Sequence, residues 1–193
     1  MADGLTGGIM AGIAANLRLF LIGPMGSGKS TVGRHLADLL DCPFVDSDAE
    51  IESRAGADIP WIFDVEGESG FRRRETTVLK DLVEHPAAVI ATGGGAILAA
   101  ENREMMARTG MVVFLNVSVA QQLKRTVSGE GRPLLQRGNR EETLNQLMAE
   151  REPLYRALAD VIIPAGGSNA RKVARQIEAV LRERGLIPHY DGE

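Results

Sequence analysis

The sequence is poor in cysteine, in aromatic residues and in positive charge. Its single cysteine, Cys42, permits no disulfide within the chain and points to a reducing compartment. Aromatic residues make up 4% of the 193 residues, which argues against a base-stacking surface for nucleic acid. Lysine and arginine number 22 against 26 acidic residues, and the net charge of −4 argues against a general binder of nucleic acid or anionic membranes.

Long hydrophobic runs are lacking as well. The longest uncharged stretch after the N-terminal residues, 86–100, contains three glycines and is shorter than the ~20 residues that a membrane-spanning helix needs. The apolar run 9–15 has no basic region before it, so it does not resemble a signal peptide. We expect residues 1–16 to be a disordered extension and residues 17–187 to form one domain of a cytoplasmic, monomeric protein without nucleic-acid or membrane partners.

The composition and periodicity predict an α/β domain. Hydrophobic residues make up 44% and charged residues 25%, which is typical of a globular protein. Short apolar runs that suit strands lie at 17–22, 43–45, 87–91, 111–117 and 161–163. Helices are predicted at 29–40, burying Val32, Leu36, Leu39 and Leu40, and at 171–184, burying Val173, Ile177, Val180 and Leu181. Strands that are apolar on both faces and alternate with helices predict a parallel sheet of about five strands, covered on both sides.

A glycine-rich segment follows the first predicted strand. Residues 23–30 read GPMGSGKS and match the pattern G-x-x-x-x-G-K-[ST] between a strand and a helix. Such a loop presents backbone N–H groups and a helix N-terminus to phosphates. The nucleotide-binding residues predicted here are Gly26, Ser27, Gly28, Lys29, Ser30 and Thr31. Lys29 would reach the β- and γ-phosphates of ATP and the Ser30 hydroxyl would bind Mg²⁺. The alternative, a turn that only caps a helix, is disfavoured by the matching context.

The remaining sequence favours a small-molecule kinase among proteins with this loop. No apolar strand ends in Asp-Glu, as in motor and clamp ATPases, and the guanine-binding pattern Asn-Lys-x-Asp is absent. Asp46 and Asp48 close the second predicted strand. One of them can bind magnesium and the other can take a proton from an acceptor hydroxyl. The alternative is that one caps the following helix, and the two interpretations can coexist.

Arginines and glycines recur beyond the strands. Arg72 and Glu75 lie three residues apart, so they can pair on one helical face and leave a guanidinium edge for a substrate anion. The alternative is a solvated face. The glycines of residues 92–95 favour close approach of backbone to a ligand over a simple turn. Arg151 is placed at the start of a helix, where it could bind an anionic acceptor.

The segment 125–140 is rich in glycine and arginine. A loop of this kind can close over ATP, exclude water and deliver an arginine to the transferring phosphate. Its candidate arginines are Arg125, Arg132 and Arg137, with Gly129 and Gly131 as hinges. An ordinary basic loop is the alternative.

Together the motifs resemble the shikimate kinase family. In family order the sequence carries GPMGSGKST, DSDxxIE, FRRRE, TGGG, GRPLL and REPLYR, between about residues 17 and 181. The resemblance implies a P-loop fold like that of nucleoside monophosphate kinases, with a substrate-binding region near 48–80 and a mobile lid near 125–140. It also implies transfer of the ATP γ-phosphoryl group, with Mg²⁺, to the 3-hydroxyl of shikimate on the route to chorismate and the aromatic amino acids.

The resemblance also implies roles for single residues. Asp48 corresponds to the base that contacts the acceptor hydroxyls, and Asp46 to the residue that binds magnesium beside Ser30. Arg72 and Arg151 correspond to the arginines that hold the shikimate carboxylate. The remaining implied roles fall to Gly94 and Gly95 (backbone contacts to shikimate), Glu75 (orienting Arg72), Arg132 (lid arginine), Arg125 (stacking on adenine), and Ile59, Phe63 and Pro133 (apolar walls).

One departure from the family pattern concerns the adenine site. Some members carry an arginine in the turn after the last strand, whereas this sequence has AGGSN at residues 165–169. The adenine clamp is therefore one-sided or built from backbone. Two other functions stay open from the sequence, a gluconate-type kinase and a nucleotide-binding regulator that hydrolyses ATP slowly.

Overall fold

The computed structural model describes residues 17–84, 86–126, 139–167 and 169–188, and these contain one five-stranded parallel sheet. The strands are β1 (Arg18–Ile22), β2 (Phe44–Asp46), β3 (Ala88–Ala91), β4 (Met111–Asn116) and β5 (Val161–Pro164). Their order across the sheet is β2-β3-β1-β4-β5. The prediction of a parallel α/β sheet is confirmed, with strand ends shifted by one residue or so from the predicted runs.

Helices cover both faces of the sheet. They are α1 (Lys29–Leu40), α2 (Ser47–Ala55), α3 (Ile59–Leu82), α4 (Ala100–Thr109), α5 (Val119–Arg125), α6 (Arg140–Leu158) and α7 (Ala170–Glu183), with a short 3₁₀ turn at Ala96–Leu98. On one face, α1 and α7 pack against each other and bury side chains such as Leu36 and Ile177. On the other face, α3 and α6 enclose a core around Phe20, Phe114 and Tyr155.

The long helical segment after β2 is interrupted twice. The chain leaves α2 at Gly56, and α3 begins after Asp58, whose carboxylate caps it by accepting from the Trp61 N–H at 2.8 Å. Inside α3, Gly67 has φ 70° and ψ 176°, a conformation that side-chain-bearing residues rarely adopt, and it kinks the helix. The segment from Ser47 to Leu82 therefore consists of three helical pieces, which are α2 and the two parts of α3 on either side of Gly67.

Two helix predictions are wrong in detail. Arg151 does not begin a helix, because α6 starts at Arg140 behind the Asn139 cap and continues through Pro153. Buried residues recur along one face of α6 at Leu144, Met148, Arg151 and Tyr155, and their packing holds the helix together despite the hydrogen bond that a proline removes. Leu39 is 41% exposed, because it lies about a quarter turn from the centre of the buried stripe of α1.

Several predictions fall outside the described residues. They concern the extension 1–16 and, within the lid, Gly129, Gly131, Arg132, Pro133 and Arg137. Each of the helices that the structure describes is too short or too polar to cross a lipid bilayer.

Candidate active site

The strand order brings three loops to one edge of the sheet. Because β3 lies between β1 and β2, the glycine-rich loop after β1, the 92–95 turn after β3 and Asp46 at the end of β2 are neighbours. Parallel α/β sheets bind ligands at this carboxyl edge. A cavity of about 450 Å³ opens here. Its lining includes Gly26, Gly28, Lys29, Ser30, Thr31, Asp46, Asp48, Ile59, Phe63, Arg72, Glu75, Gly94, Gly95, Arg125 and Arg151.

The glycine-rich loop of residues 23–30, called the phosphate loop below, lines one end of the cavity. Gly26 and Gly28 have φ of 73° and 89°, which lets the backbone turn tightly before α1 begins at Lys29. The Lys29 ammonium donates to the carbonyls of Gly23 and Pro24 at 2.8 and 2.9 Å. Ser27, within the loop, is buried and is not among the residues that line the cavity. The ammonium is thus held at the loop, where a phosphate would meet it.

The Asp46 carboxylate accepts three hydrogen bonds. Its Oδ2 accepts a 2.5 Å hydrogen bond from the Ser30 hydroxyl. Its Oδ1 accepts from the backbone N–H groups of Asp48 and Ala49 and so caps α2. The cap and the position beside Ser30 therefore coexist in one side chain.

The Ser30 hydroxyl and the Asp46 carboxylate together fit a magnesium ion. Mg²⁺ prefers oxygen ligands and is usually held by one or two carboxylates together with substrate phosphates and water. The Ser30 hydroxyl and the Asp46 carboxylate supply two such oxygens at the phosphate loop. These are the residues that could hold the metal.

Asp48 presents an oxygen to the cavity with no partner of its own. Among the described residues, none hydrogen-bonds Oδ1, which is buried. Burial raises the pKa of the Asp48 carboxyl to about 7, and the negative charges of Glu75 and Asp46 act in the same direction. The positive charges of Lys29 and Arg72 oppose them. Asp48 therefore stands within electrostatic reach of both the phosphate loop and the arginine end of the site.

The turn after β3 fits closely against these carboxyl groups. A Cβ atom on Gly93 would lie 2.5 Å from Glu75 Oε1 and 2.7 Å from Asp48 Oδ1, so only glycine fits there. The Gly93 N–H donates to the Ser47 hydroxyl at 3.1 Å, which ties the turn to the start of α2. The backbone at Gly93 thus lies close to the carboxyl groups of Asp48 and Glu75, and its approach to a ligand stays a prediction.

Arg72 is held from two sides. Its Nη1 donates to Glu75 at 2.8 Å and its Nη2 donates to Glu68 at 3.0 Å. Glu75 is fully buried, which raises its pKa, while the ion pair with Arg72 lowers it. The guanidinium lies against Gly95, where a Cβ atom would collide with it. The predicted Arg72–Glu75 pair is confirmed, and it places a fixed guanidinium at the glycine turn.

Arg151 comes to the same turn from α6. It is 6% exposed, and its positive charge acts on Glu75 and on the Tyr155 hydroxyl. Tyr155 donates to the Gly94 carbonyl at 2.5 Å. The two arginines that were far apart in the sequence therefore line one end of one cavity.

Apolar rings form a wall beside the arginines. Phe63 and Phe71, on either side of the Gly67 kink in α3, have ring centroids 4.9 Å apart. Ile59 lines the cavity with them. The wall suits the carbon skeleton of a small polar ligand.

Arg125 lies at the end of the cavity away from Arg72 and Arg151, beside the phosphate loop. Its guanidinium donates to the Gly26 carbonyl at 3.0 Å and to the Ala165 carbonyl at 3.1 Å. It thereby links the phosphate loop to the turn after β5, where the sequence departs from the family pattern. Nearby, the Gln121 amide fills the space that a side chain at Gly166 would need.

Four site residues were missed from the sequence. Glu68 and Tyr155 each lie four residues from an arginine, so helical spacing could have found them. Ser47 sits between the two aspartates and appeared as a spacer. Phe71 precedes Arg72 and appeared only as part of a charge cluster.

Comparisons with known proteins agree with this geometry. The family model for shikimate kinase matches residues 25–182. A shikimate kinase of Halorhodospira halophila is 53% identical over 165 residues, covering 86% of this chain and 93% of that protein. The structure of an Acinetobacter baumannii shikimate kinase in complex with shikimate has 50% identity and a TM-score of 0.86, covering 88% of this chain and 95% of that one.

A more distant neighbour bears on the gluconate alternative. A gluconokinase structure from Sinorhizobium meliloti has a TM-score of 0.56 at 16% identity, covering 88% of this chain and 93% of that one, and shares the fold alone. The family model covers most of the chain, and relatives at half identity match nearly their whole length. The chain therefore belongs to the shikimate kinase family.

Proposed function

We propose that this chain transfers the γ-phosphoryl group of ATP to the 3-hydroxyl of shikimate, giving shikimate 3-phosphate and ADP on the route to chorismate. The observation that carries the proposal is a single cavity with a phosphate loop at one end and two arginines at the other. Asp48 responds to the charges of both ends. A triphosphate and a hydroxylated carboxylic acid fit these two ends.

The arginine end would bind the acceptor. Arg72 and Arg151 would hold the carboxylate of shikimate. Glu75 and Glu68 each accept one hydrogen bond from the Arg72 guanidinium, and Nε has no hydrogen-bond partner among the described residues, so donors remain for a second anion. The backbone of Gly94 and Gly95 would contact the same ligand. Ile59 and Phe63 would pack on its ring, together with Pro133 from the lid.

Asp48 would act as the base in the chemical step. The acceptor oxygen forms a bond to the γ-phosphorus, the bond to the β-γ bridging oxygen breaks, and the hydroxyl proton passes to Asp48. ADP leaves with the electron pair of the broken bond. Lys29 and the lid residue Arg132 would stabilise the charge that spreads over the transferring group.

Ser30 and Asp46 would hold Mg²⁺. When bound, the ion neutralises charge on the β- and γ-phosphates. Both residues keep this arrangement through their mutual hydrogen bond and through the cap that Asp46 makes to α2.

The nucleotide and the lid complete the proposal. Gly26, Ser27, Gly28 and Thr31 would surround the phosphates with Lys29 and Ser30, and Arg125 would stack on adenine. We assign residues 17–187 to one kinase domain, with 48–80 binding the acceptor and 125–140 closing over ATP to exclude water. We also propose that the enzyme acts as a monomer in the cytoplasm, where ATP is supplied.

The direct test is ATP consumption with Mg²⁺ and shikimate, compared with gluconate and with no acceptor. We expect fast release of ADP with shikimate alone. Turnover with gluconate would move the chain to the first alternative, and equal turnover without acceptor would indicate a regulator that hydrolyses ATP.

A matched pair of variants tests the arginine end. Arg72→Lys should raise the KM for shikimate by about 10- to 100-fold, because one ammonium cannot replace the two-pronged fork. Arg73→Lys changes the adjacent arginine, which lines a different cavity, and should leave that KM within about twofold. An unchanged KM in Arg72→Lys would remove Arg72 from the carboxylate site.

A further inference from the structure

Tyr155 joins the hydrophobic core to the acceptor end of the cavity. Its ring is fully buried and stacks on Phe114 with centroids 5.0 Å apart. Its hydroxyl reaches past the core and donates to the Gly94 carbonyl at 2.5 Å, across 61 residues of sequence. A phenylalanine would fill the same space in the core, so packing alone does not explain the hydroxyl.

The hydroxyl also meets Arg151, one helical turn earlier on α6. Burial raises the pKa of Tyr155 above its ordinary value, and the charge and hydrogen bonding of Arg151 lower it only in part. The phenol therefore stays protonated and donates to Gly94, while its oxygen lies within the electrostatic influence of the Arg151 guanidinium. One oxygen thus links an arginine on α6 to the turn after β3.

Gly94 also lies next to the phosphate loop. A Cβ atom on Gly94 would lie 3.5 Å from the Gly23 carbonyl oxygen, 3.6 Å from the Met25 nitrogen and 3.7 Å from the Tyr155 hydroxyl. The turn is therefore close both to the phosphate loop and to the Tyr155 hydroxyl. A shift of the hydroxyl would change the spacing between these two halves of the site.

We propose that the Tyr155 hydroxyl is a positioning residue for the acceptor. It holds the Gly94 carbonyl and the Arg151 guanidinium in one arrangement and thereby sets where the acceptor carboxylate lies relative to the phosphate loop. The inference rests on the proposed function, since it concerns the acceptor of that reaction. In this role the Tyr155 hydroxyl does not touch the reacting atoms and acts through Gly94 and Arg151.

The test is Tyr155→Phe, which removes one oxygen and keeps the ring stack on Phe114. We expect the KM for shikimate to rise by about 5- to 30-fold, because the buried hydrogen bond to the Gly94 carbonyl is lost and the Arg151 guanidinium loses the neighbouring phenol oxygen. The KM for ATP should stay within about twofold, since the contacts of Lys29 and Ser30 are untouched. Amide hydrogen exchange at residues 93–95 should accelerate in the variant.

Thr109→Val is the matched control. Thr109 donates its hydroxyl to the Met105 carbonyl at 2.7 Å on α4, outside the cavity lining. The control also loses one hydroxyl-to-carbonyl bond, and both of its KM values and the exchange at 93–95 should equal those of the wild type. A merely structural role for Tyr155 would make the two variants alike.

The outcomes separate this inference from the proposed function. If the wild type phosphorylates shikimate but Tyr155→Phe keeps the wild-type KM and the wild-type exchange at 93–95, the positioning role is overturned and the function stands. An equal rise in the KM for ATP and for shikimate would also overturn it. If the wild type does not phosphorylate shikimate, the proposed function fails and the positioning role falls with it.

Discussion

The two faces of the sheet are built for different purposes. On the α1 and α7 face, side chains such as Val32, Leu36 and Ile177 are almost completely buried in an apolar cluster. The α3 and α6 face has an apolar core of similar size, but at its carboxyl edge this core gives way to charged groups. Four of these groups have a buried atom without a hydrogen-bond partner among the described residues: Asp48, Arg72, Glu75 and Arg151.

The apolar α1 and α7 face stabilises the fold, whereas the charged groups at the carboxyl edge lower its stability. Buried polar atoms without partners lower stability, whereas complete apolar burial raises it. In the proposed reaction, the phosphate, hydroxyl and carboxylate groups of the ligands would lie near these unpartnered atoms. We therefore expect changes on the α1 and α7 face to affect folding alone, and changes at the carboxyl edge to affect catalysis and, in one case, to increase stability.

The largest expected effect is on catalysis at the carboxyl edge. Asp48→Asn should lower kcat by about 10²- to 10⁴-fold, because an amide cannot accept the hydroxyl proton. The affinity for ATP should change little. Steady-state kinetics and nucleotide titration measure the two quantities. The control is Asp64→Asn, an exposed change on α3 that should preserve kcat. Equal losses of kcat and nucleotide affinity would instead indicate that Asp48 only supports local structure.

The opposite face should respond in stability. Ile177→Ala removes a fully buried side chain between α7 and α1 and should lower the free energy of unfolding by about 2–5 kcal/mol. Leu39→Ala, on the exposed side of α1, should lower it by less than about 1 kcal/mol. Urea unfolding measures both values. At temperatures where the variants are folded, the KM for shikimate should equal that of the wild type. A changed KM would contradict the claim that changes on the α1 and α7 face affect folding alone.

A third prediction concerns the stability that Asp48 gives up. The pKa of its carboxyl is about 7 in the folded chain, against about 3.9 in an unfolded one. Between these values the folded chain binds more protons, so the group lowers stability progressively as pH rises, and the full cost is present above pH about 7. Asp48→Asn removes this cost, while it loses about 0.3–1 kcal/mol of favourable charge at the start of α2.

The net gain should therefore depend on pH. Without nucleotide and with EDTA, the variant should be more stable than the wild type by on the order of 1–3 kcal/mol at pH 8. The difference should shrink by more than half at pH 5. Thermal or urea unfolding at the two pH values measures it, and a difference that does not vary with pH would mean that the carboxyl titrates at its ordinary value.

Local patterns predicted the α1 and α7 face well and the carboxyl edge only in part. Apolar spacing gave the bounds of α1, and spacing of three residues gave the Arg72–Glu75 pair. Contacts between segments that are far apart in the sequence leave no such spacing pattern in it. The sequence does not reveal that β3 lies between β1 and β2, and only this order places Gly93 against Asp48 and Glu75.

The start of α6 shows the same limit on a smaller scale. The sequence predicts a helix that starts at Arg151, yet the helix begins at Arg140, and the buried face that runs from Leu144 to Tyr155 continues it past Pro153. Tertiary packing decided an element that local propensity misplaced. The kink at Gly67 has a similar character, since a glycine within a helical pattern does not by itself signal a bend.

The smallest expected effect concerns Cys42, which lies outside the active site at the edge of the apolar cluster of α1. Burial raises the pKa of its thiol to about 11, the Asp41 charge adds to this, and a backbone hydrogen bond from Val89 opposes it. At pH 7.5 the thiolate fraction should be about 100-fold or more below that of a free cysteine, so alkylation by iodoacetamide should be slow. The double variant Cys42→Ser/Ala157→Cys places a thiol on the exposed side of α6 and should react at the free rate. Equal alkylation rates for the wild type and the double variant would mean that the α1 and α7 face opens readily. Its apolar packing would then be too loose to distinguish it from the other face in stability.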